Sequence, residues 1–411
     1  MDMQETFLNP GQLPEDIVVG VFHELLKCND VETLSSCAIV CRSWSCIAQD
    51  ALFSGFDIIL ESAYVPVYKL LSFLPVPRRI HTVDNFVDFI GANPRLVDMV
   101  RNLRLRVPAR TALLEVDTNV GPIFSVVRRL HKLRSLSIDA KCFCGIAPDA
   151  VLPQSDTMTR LFLRDVAFPH VGKIMELVSS VPKLEDLSLI GSGPAAVFEE
   201  NVETPSHLTL QPPLRRLVIH MGHMVIASLI NGTLLRINGL RHLDIHFVDG
   251  LSEDGIHSLV ELIGLNESTL QSLCLLDGLP RDVLMSLIPN LRLRSLEVYP
   301  FRGAVLELLT VLHDTFDCIA DNTLENITIV IDGDYLLYEL GDHSVAWERL
   351  QTSLRSFPRL RMFCVLLTRE PYEYAITDLT SSYVTVEDFK VHPAFSELRK
   401  DGKMTVGEKV Y

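Results

Sequence analysis

No apolar run in this 411-residue chain reaches the roughly 18 residues that a bilayer-spanning helix requires. The opening MDMQETFLNPGQ has acids where a secretory leader would have basic and apolar blocks, so the expected setting is soluble and intracellular, cytoplasmic and/or nuclear. Basic residues are scarce: 37 Lys and Arg face 52 Asp and Glu, and a net charge of −15 repels nucleic acid and anionic lipid surfaces. No CxxC pair occurs among the nine cysteines, an odd number that cannot all pair. Cys37, Cys41 and Cys46, at spacings of four and five, and Cys142 and Cys144 in KCFCG are expected to behave as small buried hydrophobes and not as zinc ligands. GxSxG, Walker and HExxH signatures are missing and the 13 histidines are scattered, so neither catalysis nor a cofactor is expected.

What is present is a composition of 48% hydrophobic and 22% charged residues, that of an ordered globular chain with room for more than one domain. Near the start, in LPEDIVVGVFHELL, the residues Ile17, Val18, Val21, Phe22, Leu25 and Leu26 form one apolar helical stripe. Pro14, Glu15 and Asp16 mark its first turn, where a missing amide is harmless and negative charge suits the helix dipole. Asn29 with Glu32 is a candidate capping pair for a second helix carrying Leu34, Cys37, Ala38 and Cys41. A third short helix carries Trp44, Ile47 and Ala48, with Trp44 expected in the core. Three helices of this length have too little core to enclose all their apolar surface, so a second polypeptide is expected to cover the remainder.

The succession LPEDI, a hydrophobic helix, VCRSWSCIA and then LF closely resembles an F-box over residues 12–56. In that family the motif docks onto a Skp-type adaptor, which hangs from the cullin scaffold of a ubiquitin ligase. The resemblance implies that Leu13, Pro14, Ile17, Phe22, Leu25, Leu34, Val40, Cys41, Arg42 and Trp44 serve adaptor binding. Gly20 within the first helix departs mildly from the family pattern.

Beyond residue 95 the pattern L-x-x-L-x-L, with Ile, Val, Phe or Met allowed, returns ten times, its first positions being Val100, Leu133, Met158, Leu184, Leu214, Leu240, Leu270, Leu293, Leu324 and Leu360. Successive copies lie 23 to 36 residues apart, enough for one short strand and one return segment. Segments of helical spacing stand between them: GKIMELVSSV, DGIHSLVELI, RDVLMSLI, GAVLELLTVLHDTF and SVAWERLQTSLRSF. Each unit alone exposes an apolar face that a stacked neighbour would bury. The array resembles irregular leucine-rich repeats, and the chain as a whole resembles fungal-type F-box receptors with such repeats. The implied fold is α/β: a three-helix F-box, then an irregular solenoid with parallel strands on its concave face. Lys141, Val166, Ser192, Gly222, Val248 and Gly278 stand where the family has Asn or Cys after the strand, so the usual asparagine ladder is missing and distorted repeats are expected. A doubly wound α/β sheet is the alternative, weakened because no Gly-rich loop joins a strand to a helix start.

The expected organisation is a disordered N-terminus at 1–11, the F-box at 12–56, a packed connector at 57–94, the repeats at 95–370, and a cap with a frayed tail at 371–411. His242 and His246 sit about 13 Å apart along one strand at ~3.3 Å per residue, too far for one metal ion, and no metal site is expected. Asp332 and Asp334 suit a solvated turn, and the sequons at Asn231, Asn266 and Asn326 carry no information without a secretory signal.

Alternation places Arg104, Arg106, Ser135, Ser137, Phe162, Arg164, Asp186, Ser188, Arg216, Val218, His220, His242, Asp244, His246, Ser272, Cys274, Glu297 and Tyr299 on the concave surface. Phe162, Arg216, His242, His246 and Tyr299 are the preferred target contacts, since exposed aromatic, Arg and His side chains are the commoner anchors. The expected role is a substrate receptor that joins a Skp-type adaptor, and through it a cullin, to a target protein, with no nucleic-acid or membrane partner. An F-box scaffold without a ubiquitylation role and an α/β enzyme are the alternatives.

Overall fold

The structure, a computed structural model, describes residues 14–28, 30–53, 55–59, 83–107, 126–145, 155–168, 171–191, 193–194, 212–221, 237–247, 253–276, 292–299, 305–318, 323–332, 344–368, 390–391 and 395–409. In chain order the elements are α1 (Glu15–Lys27), α2 (Val31–Cys37), α3 (Arg42–Phe53), β1 (Gly55–Ile59), α4 (Val83–Ala92), a 3-10 turn (Pro94–Asp98), β2 (Asn102–Val107), β3 (Ser135–Gly145), β4 (Arg160–Phe168) and α5 (Val171–Ser179). They continue with β5 (Asp186–Ile190), β6 (Gly193–Pro194), β7 (Arg216–Met221), β8 (His242–Phe247), α6 (Glu253–Leu265), β9 (Ser272–Leu276), β10 (Ser295–Tyr299), α7 (Val305–Cys318), β11 (Asn326–Asp332), α8 (Ser344–Arg355), β12 (Met362–Thr368), α9 (Ser396–Lys400) and β13 (Met404–Lys409).

Two compact units partition the chain, Met1–Leu184 with Ser192–Glu203, and Glu185–Gly191 with Thr204–Tyr411, so the division falls inside the repeat region. In the first unit β1, β2, β3 and β4 pair in parallel in that order, and β6 joins the end of β4. In the second, β5, β7, β8, β9, β10, β11, β12 and β13 form an all-parallel sheet in that order. Parallel neighbours need a crossover segment. Four of the five expected helical segments appear, as α5, α6, α7 and α8, while RDVLMSLI lies outside the described residues.

All ten copies of the apolar pattern carry a strand, from β2 through β5 and from β7 through β12. Their three apolar positions are at most 5% exposed in every copy, because residues two apart on a strand share one face and that face is the core. At the strand entries a main-chain ladder recurs. The carbonyl of Arg101 accepts the amides of Arg134 and Ser135, that of Arg134 accepts Thr159 and Arg160, and the same link runs from Glu185 to Arg215, Arg241, Gln271, Arg294, Glu325 and Met362, with N–O distances of 2.7–3.1 Å. These links tie each strand entry to the neighbouring copy through backbone groups alone. Lys141 and Val166, expected in turns, lie inside β3 and β4, which run on past a bulge between Asp139 and Cys144; the other four turn positions lie outside the described residues.

One asparagine does serve a turn. Asn266, 1% exposed after the end of α6, accepts through Oδ1 from the amides of Gly239 and Leu240, both at 2.9 Å, and donates through Nδ2 to the carbonyls of Ile237 at 2.8 Å and Leu262 at 2.9 Å. Gly239 adopts φ +106, a left-handed conformation that favours glycine, and so lets both successive amides face that oxygen.

The frayed C-terminal tail is a correction. β13 pairs with β12 from Phe363↔Met404 to Thr368↔Lys409, and Phe395 (1% exposed) lies edge-on to Trp347 of α8 at 4.9 Å and 6.1 Å from Phe363 of β12. Backbone pairing and this aromatic anchor hold a segment whose polar sequence, MTVGEK, gave no strand signal. The N-terminal residues 1–11 lie outside the described residues, as do 60–82 of the connector. β1 starts two residues after α3 ends and pairs with β2, and Arg101 bonds Asp50 of α3 at 3.1 Å.

Candidate functional site

The three N-terminal helices build a core of Val18, Phe22, Leu34 and Ala48, with Leu25, Cys37, Ala38, Trp44, Ile47, Ala51 and Leu52 packed around it. The Phe22 and Trp44 rings meet edge to face, 5.8 Å apart at 90°. Pro14 opens α1 by accepting the amides of Ile17 and Val18. The N-cap of α2 is Asp30 instead of Asn29: its carboxylate accepts the Thr33 amide at 3.0 Å and the Thr33 hydroxyl at 2.7 Å, and these bonds hold the acid below its ordinary pKa.

The apolar stripe of α1 proves too wide for one partner. Val18 and Phe22 turn into the core, while Ile17 (50% exposed) and Val21 (52%) stay outside. Ile17, Gly20, Val21, Glu24, Leu25 and Cys28 line a groove of about 450 Å3 along the outer face. The turn after α2 adds Ile39, 86% exposed, and Val40, 50% exposed.

Of the residues that the resemblance assigned to adaptor binding, Ile17 and Val40 therefore present surface, Leu25, Cys41 and Trp44 are half-buried, and Pro14 is exposed. Phe22, 2% exposed, and Leu34, 0% exposed, are enclosed by the helices themselves; they hold the plug together and offer a partner nothing to touch. Leu13 and the side chain of Arg42 lie outside the described residues. Val19, Val21 and Ile39 are exposed apolar residues missing from the expected set, although the continuous run IVVGV already signalled more apolar surface than one helix face can bury.

The second candidate is the sheet face opposite the repeated leucines, taken unit by unit. In the first unit it carries Arg104, Arg106, Phe162 and Arg164 around Asp139, whose carboxylate lies 3.4 Å from Arg104 and 3.8 Å from Arg164, with the Arg164 guanidinium 5.7 Å from the Phe162 ring. In the second unit Arg216 pairs with Asp186 at 3.3 Å, and His242 stands in register with Arg216. Burial, helped by Arg216, holds His242 below the ordinary histidine pKa, against the pull of Asp244, Asp186 and Glu297.

Deeper on that face, Cys274, Tyr299 and Val330 form a small apolar cluster with Leu366 packed on it. His246 and Tyr299 are each only 8% exposed and lie 5.0 Å apart ring to ring, so these two expected contact residues pack against each other and leave little surface. Register also joins what the sequence reading kept apart. His220 of β7 pairs with His246 of β8, and their rings stack 3.6 Å apart at 6° beside Asp244. The copies RLVIH and HLDIH, aligned on their apolar positions, carry the signal for that pairing.

Residues 11–57 match the F-box-like family, so the N-terminal plug is an F-box-like domain, of a kind that generally binds Skp-type adaptors. No curated protein matches the chain. Among the described residues no helix is long and apolar enough to cross a membrane.

Proposed function

We propose that this protein is the substrate-recognition subunit of an SCF-type cullin-RING ubiquitin ligase. The F-box-like plug binds a Skp-type adaptor, and the strand array, in our reading an irregular leucine-rich-repeat solenoid, binds a target protein. The observation that carries the reading is that Ile17, Val21, Ile39 and Val40 all stay exposed on a plug that already has its own core. So much exposed apolar surface on a small helical module favours a docking role over a packing defect. The chain itself supplies no catalytic group. Its mechanism is proximity: holding the target beside a conjugating enzyme turns an encounter between two proteins into a local event. Arg216 and His242 in one unit and Phe162 in the other keep the exposure that a target contact needs, and they remain the assigned target residues.

The test is capture of a purified Skp-type adaptor by the full chain. Ile17→Asp with Val40→Asp should abolish capture and leave the circular dichroism unchanged, because both side chains are half exposed and outside the plug core. Leu34→Ala, at a fully buried site, should instead unfold the plug, at a cost of about 2–5 kcal/mol. Undiminished capture by the doubly charged variant would overturn the assignment.

A further inference from the structure

On the sheet of the second unit, His220, Asp244 and His246 bring one ligand atom each to within 4.8 Å of one another. The Nε2 atoms of His220 and His246 lie 3.1 Å and 3.6 Å from the same Asp244 oxygen, Oδ1. Two neutral imidazole nitrogens and a carboxylate are the donor set that open, three-ligand zinc sites use. For ligands about 2.0–2.1 Å from a tetrahedral ion, the donor-to-donor edge is roughly 3.3 Å, and the two observed distances bracket it.

From these residues we infer a binding site for a divalent cation of the zinc type, with the two histidines and Asp244 as ligands and a further coordination position open to water or a bound partner.

The surroundings suit a cation. Arg216 is paired with Asp186 at 3.3 Å, and Asp244 and the nearby Glu297 add negative charge to this part of the sheet. The side chains of His220, His246 and Asp244 keep 21%, 10% and 19% of their exposure, enough for an ion to enter from solvent. Supporting groups are in place: the Cys274 thiol hydrogen-bonds Asp244, and the Tyr299 ring abuts His246 edge-on at 5.0 Å.

Without an ion, His220 Nε2 must carry the proton it shares with Asp244, since a carboxylate only accepts. Binding an ion through Nε2 of a neutral His220 moves that proton to Nδ1. It also requires the stacked rings, 6° from parallel, to splay so that one ion lies in both ring planes. His242 and His246 lie too far apart along one strand to share an ion; the ligand pair instead spans two strands, through His220, against the expectation of no metal site.

The test uses the full chain stripped with a chelator and titrated with Zn2+, and with Co2+ as a spectroscopic stand-in. The expected result is one ion per chain and Co2+ d–d bands without a thiolate charge-transfer band, which separates this site from the cysteines. His220→Gln and the isosteric Asp244→Asn should each weaken Zn2+ binding by at least about 100-fold, more than loss of an outer-shell group would. No stoichiometric uptake by the wild-type chain, a thiolate band, or unchanged affinity in a folded variant would each overturn the site. Should a variant fail to fold, the wild-type Co2+ spectrum and the Zn2+-induced 15N shifts of the two imidazoles decide alone.

Discussion

Replacing Asn266 with alanine should destabilise the second unit by about 3–5 kcal/mol. Asn266 is 1% exposed and its amide makes four hydrogen bonds, two accepted from the Gly239 and Leu240 amides and two donated to the Ile237 and Leu262 carbonyls. A buried amide left without a partner costs roughly 1–3 kcal/mol, and a carbonyl, with its two lone pairs, costs less. Two amides at about 1–2 kcal/mol each and two carbonyls at about 0.5 kcal/mol each give the stated range. That is a large share of the ~5–15 kcal/mol that keeps a domain folded. Urea denaturation of the full chain, followed by the circular dichroism of the sheet, measures it. Asn266→Asp is the informative companion: a carboxylate still accepts both amides, but its second oxygen would face the Ile237 and Leu262 carbonyls with nothing to donate, so the ionised form should lose at least as much as alanine. A shift below about 1 kcal/mol for alanine would refute the reasoning, because it would mean that water reaches these groups in place of the side chain.

Gly20→Ala should raise the stability of α1 by up to ~1 kcal/mol, since the position is helical and exposed and an added Cβ meets nothing within 4 Å; thermal melts check this, and adaptor titration shows whether the groove tolerates the methyl. Phe395→Ala should cost about 3–5 kcal/mol and release β13, seen as new protease cleavage near Met404 while α1–α3 stay protected. Asp30 should titrate below the ordinary aspartate value of 3.8 in a side-chain carboxyl NMR titration. Because its folded pKa is depressed, its contribution to the α2 cap is present above the unfolded pKa and fades as pH falls through the folded one, a loss that Asp30→Asn should not share.

The apolar skeleton was legible in the chain because each of its positions obeys a local rule. Alternation along a strand needs no knowledge of the neighbour, so Leu217 with Ile219 and Leu243 with Ile245 could be assigned to the core copy by copy, and both pairs are fully buried. What the sequence did not disclose depends on relations between distant segments. His220 meets His246 only through the register of two strands, and Asn266, which the sequence marks only as an uninformative sequon, reaches Gly239 across 27 positions. β13 is held by backbone pairing and by Phe395, neither of which leaves an apolar rhythm in MTVGEK. At the plug the helices were evident but not their facing. A run of consecutive apolar residues names more than one face, and only the packing of Phe22 against Trp44 decides that Val18 goes in and Ile17 stays out.

The carbonyl-to-amide links at the strand entries consist of atoms that every residue except proline possesses. Arg, Glu and Gln all occupy the accepting position, and each does so through its peptide group. A joint of that kind is blind to side-chain chemistry. Copies can therefore diverge in sequence while still seating on the one before, and the residues displayed between the leucines are left free to vary.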